Sequence, residues 1–244
     1  MMTSETALRA FVARIVGYER TDAIETALRS IALYVTGAAA LVLLGDTDLV
    51  PIAFALHRRA IGVDRPFVVC DPRRPHGRAS VRVPTGRLTG VAAIQAARGG
   101  TVCLRRRRLP DDLSVMSALV RDPAADVRTV IVAETSHARD PFLVLQGPIW
   151  IPPLGSRVGE VGRVVDEYAA DAIDALGDGW FLDEDRAWIL EHAAKSLSEI
   201  EKATLRFVAL RQAGSITGAA ARLGLSHVAL GQWFKRHQRS EGRP

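Results

Sequence analysis

LVLLGDTDLVPIAFALHRRAIGVDRPFVVC, residues 41–70, decides the fold. Its ends, residues 41–44 and 67–70, are continuous apolar runs too short for helices and without polar alternation, the pattern of strands buried on both faces. Residues 51–60 between them have helical spacing. Three further apolar runs follow at 101–104, 129–133 and 149–151, alternating with helical stretches at 88–98 and 112–121. Short apolar runs alternating with helices predict a parallel sheet covered on both faces, an α/β class domain over residues 1–158. Upstream, residues 5–16 place Leu8, Phe11, Val12 and Ile15 on one helical face. Asp22 is the expected N-cap of a second helix carrying Ile24, Leu28, Ile31 and Leu33.

After Pro152-Pro153 the strand pattern stops and the chain reads as all helical. Helices are expected at 161–176 and 183–197, with Trp188, Ile189 and Leu190 on an apolar side, making residues 159–198 a helical linker. Residues 204–213 then form a helix ending at Gly214, and residues 217–223 a short Ala-rich helix ending at Gly224. Ser226 caps a last helix running to about His237. This spacing is that of a helix-turn-helix, so residues 199–244 are expected to bind DNA. Ala219 and Ala220 are small enough for two helices to cross closely, and Leu225, Val228 or Ala229, and Leu230 are the expected shared core. The outward residues of the last helix are then His227, Val228, Gly231, Gln232, Lys235 and Arg236. Gln232 suits an adenine edge, while Lys235, Arg236 and the tail arginines, Arg239 among them, suit phosphates. Thr217 and Ser226 add phosphate contacts at helix starts. The plainer reading is a three-helix interaction module with a basic surface.

Charge supports the DNA reading. The whole chain has a formal net charge of +5, carried by Arg far more than Lys. From Lys202 onward, eight Lys and Arg (Lys202, Arg206, Arg211, Arg222, Lys235, Arg236, Arg239, Arg243) face one acid, Glu241, a net of +7. The last segment therefore accounts for the entire excess, which suits an anionic partner. Hydrophobic residues make up 48% of the 244, enough to fill a core. No apolar stretch approaches the roughly 20 residues of a membrane span, and no export signal is evident, so a cytoplasmic, membrane-free protein is expected. Cys70 and Cys103 each lie in an apolar run, with no CxxC pair or metal spacing, and read as reduced core thiols.

The segment GSITGAAARLGLSHVALGQWFKR resembles the Fis-type helix-turn-helix, with Gly214, Thr217, Ala219, Ala220, Leu223, Gly224, Ser226 and Leu230 on the family's pattern. The family's Asn and second Thr are Ser215 and Ala229 here, and Trp233 is unusual. The resemblance implies binding to double-stranded DNA as a homodimer.

The opening stretch is similar to the start of the AAA+ domain of sigma-54-dependent enhancer-binding activators, with His57, Arg65, Pro66, Phe67 and Cys70 on that frame. Gly99-Gly-Thr-Val-Cys-Leu-Arg-Arg106 is similar to the family's GGTLFLDE segment, and Ile151-Pro-Pro-Leu-Gly-Ser-Arg157 to its Pro-Pro-Leu-Arg-x-Arg segment. Against that frame the chemistry is missing. A phosphate loop needs glycines, a Lys and a Ser or Thr for the metal. Here only Gly45 remains; Asp48 would repel phosphate, Val50 replaces the last Gly, and Pro51 stands in place of the Lys. Arg105 and Arg106 stand where the Walker B acids would hold magnesium. The sigma-contacting GAFTGA loop is absent from the shortened stretch 77–90, the arginine-finger region after Phe142 is shortened, and no WPGNVREL-like lid segment precedes the last helices. Glu134 and His137 fall at the family's sensor without matching it. Arg105–Arg108 read first as a solvated edge paired with nearby acids such as Asp111 and Asp112, and second as an anion or DNA contact.

The expectation is a sequence-specific DNA-binding transcriptional regulator, not an enzyme. It needs no cofactor or metal, and its AAA+-like domain serves self-association or partner binding. Two alternatives stand beside it. One is a non-catalytic subunit that modulates an intact activator or contacts an RNA polymerase component. The other is a sensor whose former nucleotide cleft, with Arg105 and Arg106 at strand ends, binds an anion.

Overall fold

The computed structural model describes residues 4–73, 81–82, 86–140, 143, 147–177 and 179–238. The chain divides into two compact units, Met1–Pro153 and Leu154–Pro244. The first runs α1 (Ser4–Val16), α2 (Thr21–Val35), β1 (Leu41–Leu44), α3 (Val50–Ala60), β2 (Phe67–Cys70), β3 (Gly86–Arg87), α4 (Gly90–Ala96), β4 (Thr101–Arg105), α5 (Leu113–Val120), β5 (Arg128–Ala133) and β6 (Ile149–Trp150). Six strands form one sheet in the order β3-β2-β4-β5-β1-β6, and every pairing is parallel.

Register follows from burial. Leu41 pairs with Val130 and Leu44 with Ala133, while Phe67 pairs with Thr101 and Cys70 with Leu104. Successive side chains of a strand point to opposite faces. One set, Val42, Leu44, Val68, Cys70, Val102, Leu104, Ile131 and Ala133, packs against Ala93 and Ile94 of α4 and Met116 of α5. The opposite set, with Leu41 and Leu43 fully buried, faces α2 and α3. Each Val, Leu, Ile or Met among them contributes roughly 1.5–3 kcal/mol on burial. The five apolar runs are therefore all strands, and both faces of the sheet are covered.

Three details differ from expectation. β3 carries no apolar signal, because Gly86 and Arg87 are held at the sheet edge through backbone pairing with Val69 and Cys70. α2 begins at Thr21, since the Ile24 N–H already donates to the Arg20 carbonyl at 2.9 Å; Asp22 thus lies inside the first turn and is not its cap. Leu33 is 52% exposed, because the buried stripe of α2 is Ile24, Ala27, Ile31 and Tyr34.

The second unit is helical: α6 (Val161–Leu176), α7 (Asp183–His192), α8 (Leu197–Ala213), α9 (Ile216–Leu223) and α10 (His227–Gln238). α7 stops at His192, short of the expected 197. Ser196 is extended and its hydroxyl accepts from the Glu199 N–H at 3.2 Å. That cap starts α8 at Leu197, so the helix runs straight through the expected start at 204. The buried carboxylate of Asp185 on α7 receives two bonds from the Arg211 guanidinium of α8, at 2.8 and 3.1 Å. Among the described residues no helix is long and apolar enough to cross a membrane.

Candidate functional site

The last three helices are set by their caps. α8 closes on Gly214 and α9 on Gly224, both in the left-handed conformation that favours glycine. Between them Ser215 is extended and its hydroxyl accepts from the Gly218 N–H at 3.1 Å, so this residue, and not Thr217, opens α9. Ala219, Ala220 and Leu223 are buried on the inner side of α9. The Ser226 carbonyl accepts from Leu230 at 3.0 Å, placing Ser226 immediately before α10.

α10 has two distinct faces. Leu230, Trp233 and Phe234 are buried. Trp233 meets Trp188 of α7 with ring centroids 5.6 Å apart and Phe207 of α8 at 5.9 Å, while Phe234 lies 5.8 Å from Phe207. The Arg206 guanidinium sits 4.6 Å over the Trp233 ring. This aromatic cluster fixes the rotation of α10, and sequence reading missed it by treating Trp233 only as a departure from a pattern. The other face presents His227, Val228, Gln232, Lys235 and Arg236, all exposed, with Ser226 before them and Thr217 and Arg222 exposed on α9. Arg239 lies outside the described residues. Val228 and Ala229 are exposed, so the shared core is built from Leu230 and the aromatic pair, with Leu225 half-buried. Among the described residues no carboxylate pairs with Arg222, Lys235 or Arg236.

In the first unit the loop after β1 has a different character. Gly45 is buried under Ile151 and Leu49, and Val50 and Pro51 are buried in the first turn of α3. The N-terminus of α3 is met by the chain's own carboxylate: Asp48 Oδ1 lies 3.4 Å from the Val50 N–H and 3.5 Å from two nitrogens of Arg105. Asp46 is tied to the far end of β5, accepting from the Thr135 N–H at 3.2 Å and from its hydroxyl.

The arginine run fans across the strand ends. Arg106 pairs with Asp140 at 2.8 Å, Arg107 with Glu134 at 2.5 Å and Arg108 with Asp71 at 3.0 Å. Its partners are therefore these acids and Asp48. Asp112 is engaged elsewhere, accepting from the Gly90 and Val91 N–H groups at 2.8 and 2.9 Å and so capping α4. Arg105–Arg108 and Glu134, with Thr47 and Arg73, line a cleft of about 410 Å³ at the C-terminal ends of β1, β4 and β5.

No family model matches this chain, and no curated protein matches it.

The remaining polar groups of the first unit serve the core. His57 is buried, with Nδ1 2.9 Å from Thr101 Oγ1 and Nε2 3.0 Å from the Arg65 carbonyl; Tyr34 Oη lies 2.5 Å from the same threonine oxygen. Nε2–H donating to Arg65 leaves Nδ1 to accept from Thr101, which in turn accepts from Tyr34. Burial, reinforced by the Arg128 and Arg58 charges, holds the His57 imidazole below its ordinary pKa, against the Arg65 hydrogen bond. Cys70 and Cys103 are buried and free, and burial pushes their thiols up to about 11 and about 12. Neither is a nucleophile near neutral pH. Among the described residues no group of His, Cys, Asp and Glu is arranged to hold a metal.

Proposed function

We propose that this chain is a sequence-specific DNA-binding transcriptional regulator. Its last three helices act as a helix-turn-helix, and its α/β unit is a non-hydrolysing AAA+-like scaffold for self-association or for a protein partner. One observation carries this reading: α10 buries an aromatic face and leaves exposed a polar and basic one, with Val228, Gln232 and Lys235 one turn apart. In a major groove Gln232 matches the donor and acceptor of adenine, and Lys235 and Arg236 match phosphates. Ser226 and Thr217 stand near the starts of α10 and α9, where N–H groups favour anions.

The loop after β1 supports the non-hydrolytic half of the reading. An internal carboxylate stands at the α3 N-terminus, a proline follows it, and arginines occupy the strand end where a catalytic magnesium would need acids. Dimerisation accords with a palindromic operator, each protomer supplying one helix to each half-site.

Selecting bound DNA from a random pool and measuring the chosen sequence by mobility shift across salt tests the proposal. The expected outcome is a specific complex whose log affinity falls linearly with log salt. The slope is expected to shrink by about one for each of Lys235→Ala and Arg236→Ala. Enrichment of no sequence, or variants that bind as the wild type does, would overturn it.

A further inference from the structure

Among the described residues the cleft at the strand ends is lined by five guanidinium groups, those of Arg73 and Arg105–Arg108, and one carboxylate, Glu134. Asp48, Asp71 and Asp140 reach these arginines from outside the lining, and Asp46 is tied to Thr135. Arg106, Arg107 and Arg108 are each held at 3.0 Å or less by their own acid. Arg105 is not. It reaches Asp48 only at 3.5 Å, and its Nε lies 3.6 Å from an Asp71 oxygen that Arg108 already approaches at 3.0 Å. That Nε is buried without a hydrogen-bond partner, and so is Thr47 Oγ1 in the same cleft. Arg73, also on the lining, pairs with no acid among the described residues.

Under-used donors on one concave surface are what a bound anion corrects. Buried donors left unmade are costly, and a guanidinium presents its N–H groups as a fork matched to two oxygens of a phosphate. We propose that this cleft binds a small molecule bearing a phosphate group, without a metal. Arg105 grips two of its oxygens, Thr47 donates to a third, and Arg73 neutralises the remaining charge. The Asp48 side chain is 44% exposed and turns toward solvent as the ligand takes Arg105 from it. The volume of about 410 Å³ admits a phosphorylated metabolite but not a polymer. This site lies within the first unit and does not depend on the DNA reading.

Calorimetry on the full chain tests the proposal, with a chelator present and ionic strength fixed, using inorganic phosphate and pyrophosphate as probes. The expected result is saturable, one-site heat. Arg105→Lys keeps the charge but loses the fork and is expected to weaken binding about tenfold. Thr47→Val weakens it in the same direction, Asp48→Asn strengthens it by removing the competing carboxylate, and Arg121→Ala, at the opposite end of the sheet, leaves it unchanged. Circular dichroism matching the wild type establishes that each variant is folded. The proposal is overturned by absence of saturable heat up to about 10 mM probe. It is equally overturned by saturable heat that folded Arg105→Lys and Thr47→Val proteins both retain in full, which would place the anion elsewhere on this basic chain.

Discussion

Replacing Thr101 by valine keeps the shape of the side chain and removes one hydroxyl, yet the structure makes it one of the more damaging single changes in the first unit. Thr101 is the first residue of β4 and fully buried. Its oxygen is 2.5 Å from Tyr34 Oη on α2 and 2.9 Å from His57 Nδ1 on α3, so it joins two helices to the sheet. Without it the tyrosine donor and the imidazole acceptor are both stranded in a buried site, at about 1–3 kcal/mol each. Tyr34 and His57 are 3.5 Å apart and recover part of that by bonding directly, leaving a net loss of about 2–4 kcal/mol. Tyr34→Phe removes donor and stranded group together while Thr101 keeps its bond to His57, so it loses only about 1 kcal/mol for the hydrogen bond itself. Urea unfolding at pH 7.5, followed by far-ultraviolet circular dichroism with m-values compared, measures both. A Thr101→Val loss below about 0.5 kcal/mol, or a Tyr34→Phe loss larger than that of Thr101→Val, would refute the network.

Further outcomes follow from single contacts. His57 has a folded pKa below its unfolded value near 6.5. Its stabilisation is therefore complete above pH 6.5 and is lost as pH falls toward the folded pKa, at no more than about 1.4 kcal/mol per pH unit; urea unfolding between pH 7.5 and 5 is expected to show this slope, reduced in a folded His57→Asn protein. Partial burial opposes ionisation of Asp112, but the Val91 and Gly90 N–H bonds outweigh it and hold this carboxyl below the ordinary range. Its contribution is thus present above about pH 4 and lost on further acidification, and Asp112→Ala is expected to cost about 1–2 kcal/mol at neutral pH in the same assay. In the second unit Trp233→Ala is expected to destabilise by about 3–5 kcal/mol, against less than about 0.5 for the adjacent, exposed Gln232→Ala; thermal unfolding of the pair separates a buried anchor from a surface position.

The sheet was legible because its strands are apolar without interruption, a pattern that only burial on both faces requires. Gly86 and Arg87 escaped because nothing in their side chains marks them; the neighbouring strand's open backbone groups draw them into the edge. The break between α7 and α8 was expected at 198–203 and lies at 193–196, for the opposite reason. Residues 183–213 are helix-compatible almost throughout, and only the extended backbone of Ser196, visible in three dimensions, divides them. Residue type and spacing anticipated the outward polar and charged positions of α10, whereas Gly231, expected outward, is half-buried near Ile216, and Ala229, a core candidate, is exposed. The partners of Arg105–Arg108 were not anticipated. Nearness in sequence pointed to Asp112, whereas a parallel sheet gathers residues far apart in the chain at one end of its strands, and Asp71, Glu134 and Asp140 are the acids it brings there.

The two-faced construction of α10 separates what the helix must keep from what it is free to change. Leu230, Trp233 and Phe234 anchor it to α7 and α8, and none of them reaches the exposed side. Exchange of Gln232, Val228 or His227 therefore leaves folding almost untouched, and the outward surface can diversify one position at a time. Insertion or deletion of a single residue between Leu230 and Trp233 is another matter: it turns the following residues by about 100° and sets Gln232 or Lys235 against the aromatic cluster. Descendants of this chain that acquire new surface preferences are thus expected to differ by substitutions within a helix of unchanged length, with the spacing of the three anchors as the invariant.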